Sequence, residues 1–164
     1  QLEYSRVSSL SRGNDMQNED RAFSQAAPEL FSLVATLESF TREELEELYT
    51  RTFDINPIAS LEIGWHLYGE AYERGSFLVT MRKLLRRFEI PESTELSDHL
   101  SNVLKVLGAM EPAEANMFCT QYLLPALTKI VEAFTSSNNP FEHLLAALKV
   151  FLEKQTTVGA ESHA

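Results

Sequence analysis

Apolar side chains recur along this chain at the spacing of an α-helix and nowhere at the alternation of a strand, which limits the fold to packed helices. Leu30, Leu33, Val34 and Leu37 fall at i, i+3, i+4 and i+7, one face of a helix that follows Pro28. Thr41 and Glu44 read as a capping box that opens a second helix, which runs to about Phe53. Asp54 or Asn56, with Pro57 in the first turn, is expected to start a third, with Ile58, Leu61, Trp65 and Tyr68 on its buried stripe. The fourth carries Phe77, Leu78, Met81, Leu84, Leu85 and Phe88, holds Gly75 inside it, and stops before Pro91. Ser97 or Asp98 is expected to cap a fifth, with Leu100, Val103, Leu104 and Leu107. Pro112 opens a sixth containing Leu123, Leu127, Ile130, Val131 and Phe134, and Pro125 is expected to bend it by removing a backbone hydrogen bond. Asn139 and Pro140 cap a seventh, with Phe141, Leu144, Leu145, Leu148, Phe151 and Leu152 on one face. The expectation is all-α: a single-domain helical bundle of about seven helices over residues 28–154, with a polar arm at 1–27 and a tail at 155–164.

At 164 residues the chain is long enough to build a core without staples. Fourteen Lys and Arg against 24 Asp and Glu leave a net charge of −10. That field repels phosphate and anionic lipid and attracts basic peptides, which argues against sequence-independent nucleic-acid binding. The single cysteine, Cys119, excludes an internal disulfide and fits a reducing compartment, so the cytoplasm is the expected location. No secretory signal or run of ~20 apolar residues is present.

Catalytic signatures are sparse. Glu62, His66 and Glu70 would share one helix face at i, i+4 and i+8, which keeps open a small helical metal-dependent enzyme beside the bland reading of a salt-linked face. There is no Gly-x-Ser-x-Gly, no phosphate-cradling glycine loop, and no base within a helical turn of Cys119 to hold a thiolate. Arg82, Lys83, Arg86 and Arg87 form the one basic cluster, a solvated helix face or a grip for an acidic partner. A generic helical regulatory interaction module is the remaining alternative.

Two stretches carry a more specific signal. They are Leu48-Tyr49-Thr50-Arg51-Thr52-Phe53-Asp54 with Ser60-Leu61 and His66 through Gly75, and Glu95-Leu96-Ser97-Asp98-His99-Leu100. Together they resemble the delta-subunit assembly chaperones of respiratory nitrate reductases, the NarJ type, which belong with the TorD and DmsD redox-enzyme maturation chaperones. Ser97 stands where that group commonly has Pro. The resemblance implies a TorD-like helical, cytoplasmic, non-catalytic protein that keeps no cofactor. Its implied partner is the catalytic subunit of a molybdenum-containing oxidoreductase, bound through its N-terminal peptide and held until cofactor insertion is complete.

A leader of twin-arginine type offers guanidinium groups followed by an apolar stretch, so its receptor needs carboxylates beside an apolar surface. The residues expected to bind the partner peptide are Tyr68, Glu70, Tyr72, Glu73 and Phe77, facing Glu95, Leu96, Asp98 and His99 if the two stretches meet in space. The bland counterparts are that Asp98 caps a helix, His99 packs beneath the loop, Trp65 and Tyr68 belong to the core, and Arg74 pairs with Glu70.

Overall fold

The computed structural model describes residues 31, 33–134 and 139–161, so the expected N-terminal arm lies outside the described residues. Within them there are seven α-helices and no strand, the all-α architecture read from the spacing. Residues 33–37 are helical and lead to α1 (Arg42–Tyr49), whose capping box is formed as expected. The Glu44 backbone N–H donates to Thr41 Oγ1 (3.2 Å), and the Thr41 N–H donates to Glu44 Oε2 (2.8 Å). A wider π-turn, Thr50–Asp54, continues α1 and turns Phe53 into the core.

The third expected helix is shorter than its sequence suggests. Asn56 closes a local turn instead of capping a helix: its Oδ1 accepts from the Ile58 N–H (3.3 Å) and its carbonyl from the Ala59 N–H (3.1 Å). Ile58, expected on a buried stripe, is 69% exposed. Helix α2 begins only at Ile63 and ends at Tyr68, where Gly69 takes the positive φ of 58° that favours glycine. Trp65 ties the preceding turn down by donating its Nε1–H to the Pro57 carbonyl (2.9 Å).

Helix α3 (Tyr72–Arg87) includes Gly75 and stops before Pro91, as expected. Glu89 adopts φ 55° and the Ile90 N–H reaches back to the Leu85 carbonyl (2.9 Å), a left-handed terminus built without glycine. Helix α4 spans Leu100–Ala109 and α5 spans Pro112–Phe118, with Pro112 in its first turn. A second π-turn, Cys119–Leu123, joins α5 to α6 (Leu124–Glu132). It sits directly before Pro125, whose missing N–H and bulky ring prevent a regular turn there. Helix α7 (Phe141–Glu161) runs past Lys154, where the helical domain was expected to end. Asn139 caps it, its Oδ1 accepting from the Phe141 N–H (3.0 Å) while its Nδ2 donates to Thr52 Oγ1 (2.7 Å) in the first π-turn.

The core collects the apolar stripes of these helices. Ile63, Met81, Val103, Val106, Leu123, Leu127 and Ile130 are fully buried, each worth about 1.5–3 kcal/mol of transfer free energy. One aromatic group, Tyr49, Phe53, Phe134 and Phe141, packs α1 against α7. A second, Tyr68, Phe77, Tyr122 and Phe118, runs from α2 through α3 to α5 and its π-turn.

Candidate functional site

The two motif stretches meet, and the contact is made largely by backbone. The Ile63 N–H donates to the Asp98 carbonyl (3.0 Å) and the Leu100 N–H to the Leu61 carbonyl (2.8 Å), which pairs Glu62 with His99 as an isolated antiparallel bridge. Asp98 Oδ2 then accepts from the Gly64 N–H (3.0 Å). Asp98 therefore caps α2 from across the chain, supplying acceptors to the N–H groups of its first two residues. The expected cap of α4 by Ser97 or Asp98 is replaced by His99, whose Nδ1 accepts from the Ser101 N–H (3.3 Å) and lies 2.9 Å from Ser101 Oγ.

Gly64 makes this approach possible. A Cβ there would lie 2.6 Å from Asp98 Oδ2 and 2.9 Å from Phe77 Cδ1. Arg74 closes the far side. Its guanidinium stands 5.2 Å over the Trp65 ring, a cation–π contact, so it does not make the expected pair with Glu70. Glu70 precedes the first turn of α3, outside helical register with Arg74. Burial raises the Asp98 carboxyl above its ordinary range, opposed by the Gly64 N–H and the Arg74 charge. Asp98 Oδ1 and Arg74 Nε are both buried without a hydrogen-bond partner.

The loop before α4 is held from two more directions. The Ser97 hydroxyl donates to the Leu78 carbonyl (2.9 Å), fixing the loop to the flank of α3. Asn102 Nδ2 donates to the Leu96 carbonyl (3.0 Å) and to Ser93 Oγ (3.2 Å). Asn102 is fully buried and has no counterpart in the sequence reading; a polar residue at a core position of α4 was the available signal.

The nine residues expected to touch a partner thus fall into three sets by exposure. Asp98 (0% exposed), His99 and Phe77 are buried. Tyr68 is half-buried, with its ring 5.8 Å from Phe77, and burial, Tyr122 and Glu73 raise its phenol pKa. Glu70, Tyr72, Glu73, Glu95 and Leu96 are exposed, with Tyr72 at 88% and Leu96 at 47%. The carboxylates do not converge on one aromatic ring. Glu73 acts on Tyr68, whereas Glu95 acts with Asp54 and Glu62 on Tyr49, whose phenol pKa is raised by burial and then by these charges.

The alternative metal face is broken by the chain itself. With Glu62 at the start of α2 and Glu70 beyond the Gly69 turn, the i, i+4, i+8 face does not exist, because only Ile63–Tyr68 is helical. His66 is committed elsewhere, its Nε2–H donating to the Ser60 carbonyl (2.7 Å) while Lys129 Nζ donates to the His66 carbonyl (2.6 Å). Among the described residues no group of three or more His, Cys, Asp or Glu is arranged to hold a metal. Burial pushes the Cys119 thiol up to about 11, the range of an inert core thiol.

The described residues thus form an all-helical body with a motif-bearing loop clamped onto two helices and with the motif's outer residues turned to solvent. Its family follows from direct comparison: residues 17–157 match the nitrate reductase delta subunit family, and the chain belongs to it. The proteins of that family are molybdoenzyme maturation chaperones and not enzymes, acting with the catalytic subunit of nitrate reductase. Comparison with curated proteins finds no match. Among the described residues no helix is long and apolar enough to cross a membrane.

Proposed function

We propose that the chain is a cytoplasmic assembly chaperone that binds the N-terminal segment of a molybdenum-containing catalytic subunit and holds it until the cofactor is in place. The observation that carries this reading is Tyr72, almost fully exposed, between the exposed carboxylates Glu70 and Glu73. The loop bearing Leu96 is bonded to α3 at Leu78 through Ser97. Carboxylates attract the guanidinium groups of a leader, and exposed apolar side chains take the stretch that follows them. The net charge of −10 favours encounter with a basic segment over an acidic one. Asp98, His99 and Phe77 position this surface; Glu70, Tyr72, Glu73, Glu95 and Leu96 contact the peptide, and the half-buried Tyr68, packed on Phe77, lies at its apolar edge.

Calorimetric titration with a synthetic twin-arginine-type peptide tests the assignment. Tyr72→Ala and Glu73→Gln are each expected to weaken binding several-fold, about 1 kcal/mol on the scale of a partly shielded charged or aromatic contact. Binding should fall only in part as salt rises, because ions screen the carboxylates but not the apolar contact. Undiminished affinity in both variants rejects the surface.

A further inference from the structure

The outward side of α3 is sorted by chemistry along its length. Tyr72, Val79 and Arg86 follow one another at intervals of seven residues, two helical turns, and so lie in one line. Lys83 is four residues beyond Val79 on the same side. All four are exposed, Val79 at 52%. The opposite side holds Phe77, Met81 and Leu85 in the core. Along the chain, the acids Glu70, just before the helix, and Glu73 flank Tyr72 at the N-terminal end, Val79 follows, and the bases Lys83 and Arg86 lie towards the C-terminal end.

The helix dipole accounts for part of this order, since acids favour the first turn and bases the last. It accounts for neither the two exposed apolar side chains nor Lys83. Neighbouring carboxylates also leave the basic end incompletely neutralised. Glu92 lies 3.7 Å from Arg82 and 3.4 Å from Arg86, and Glu114 makes a two-pronged pair with Arg87 (2.6 and 3.1 Å). One carboxylate shared between two arginines, with Lys83 outside both pairs, leaves a local positive charge in a chain of net charge −10.

We infer that this line fixes the polarity of the bound segment, with its arginines at Glu70 and Glu73, its apolar stretch over Tyr72 and Val79, and an acidic group beyond that stretch at Lys83 and Arg86. The inference rests on the proposed leader-binding reading and adds to it an acidic determinant that a purely negative receptor would repel. Ten residues separate Glu73 from Lys83, about 15 Å along the helix. An extended peptide covers that distance in about five residues. The acidic group is therefore placed about five residues past the arginines.

Two synthetic peptides test it by calorimetry on the full chain. One has two arginines followed by a five-residue apolar stretch and neutral residues; the other replaces the first two of those neutral residues with aspartates. The acid-bearing peptide is expected to bind about three- to fivefold tighter, the scale of exposed ion pairs. That gain should vanish in the Lys83→Gln, Arg86→Gln double variant and at high salt, while the neutral-ended peptide binds wild type and variant alike. Equal affinity of the two peptides for the wild-type chain overturns the polarity and leaves the leader site standing, as does a gain that survives in the double variant. Failure of both peptides to bind overturns the leader site and the polarity with it.

Discussion

The Glu95–Leu100 loop and the outer line of α3 belong to one motif-rich region, yet they spend their polar groups in opposite ways. At the loop, Asp98, His99, Ser97 and Asn102 are buried, and their hydrogen bonds stay within the chain. On α3, Tyr72, Glu73 and Lys83 face solvent. A polar residue that stands out in the sequence can therefore be a brace or a contact, and the two are told apart by what its loss damages. Damage at the brace should appear in folding stability, because desolvated polar atoms are left unpaired. Damage on the face should appear in binding alone.

Gly64→Ala is the harshest test of the brace. The added methyl would meet both Asp98 Oδ2 and the packed Phe77 ring below 3.0 Å, and neither has a free direction in which to retreat. Overpacking of this kind costs about 3 kcal/mol, to be read as a lower midpoint in urea unfolding with an unchanged slope. A variant as stable as wild type would show that the junction yields easily and would erase the contrast with α3. Asp98→Ala comes next. It leaves the Gly64 N–H without its acceptor and the Arg74 guanidinium without its buried counter-charge, for a loss of about 2 kcal/mol. Asp98→Asn keeps an acceptor for Gly64 and should lose less. If Asp98→Ala left stability intact and weakened only peptide binding, Asp98 would belong with the contact residues.

His66 sharpens the comparison through pH. Burial lowers its pKa below the ordinary 6.5, and Lys129 lowers it further, against the Ser60 carbonyl and Glu62. The unfolded chain thus binds a proton at a pH where the folded chain does not. Stability is complete above about 6.5 and declines as pH falls through the lowered value. The decline, followed by thermal melting between neutral and mildly acidic pH, should be smaller than the loss in Asp98→Ala and should flatten in His66→Gln. An unchanged slope in that variant would remove His66 from the set of buried braces. Asp98 has the opposite sign: its raised pKa makes its contribution largest below 3.8 and diminishing as pH rises.

Legibility in the sequence followed the range of the interactions. The Thr41–Glu44 box, Pro112 at the start of α5 and the Asn139 cap are settled within a few residues, and spacing alone located them. The same local rules placed a helix start at Asn56 and Pro57, where the side chain of Asn56 closes a turn instead. The true start of α2 depends on Asp98, 34 residues away from Gly64, which no local pattern encodes. The candidate site divided in the same way. Motif resemblance singled out both stretches, but a resemblance does not distinguish Asp98 beneath the surface from Tyr72 upon it, because that difference arises only when the loop folds onto α2 and α3.

Tyr72→Ala is expected to have the smallest effect on folding and the most informative one on binding. The side chain is 88% exposed, so its loss should leave stability within about 0.5 kcal/mol. Glu114→Gln, on α5, is a control of similar size, since it breaks the exposed pair with Arg87 of α3, worth at most ~1 kcal/mol. The control should leave affinity for an arginine-bearing peptide unchanged, whereas Tyr72→Ala should reduce it. A substantial fall in melting temperature for Tyr72→Ala would mean that the outer line of α3 is itself structural, and the difference between brace and contact would collapse. Stability unchanged in both variants, with affinity lost only in Tyr72→Ala, is the result that assigns recognition to the surface of α3.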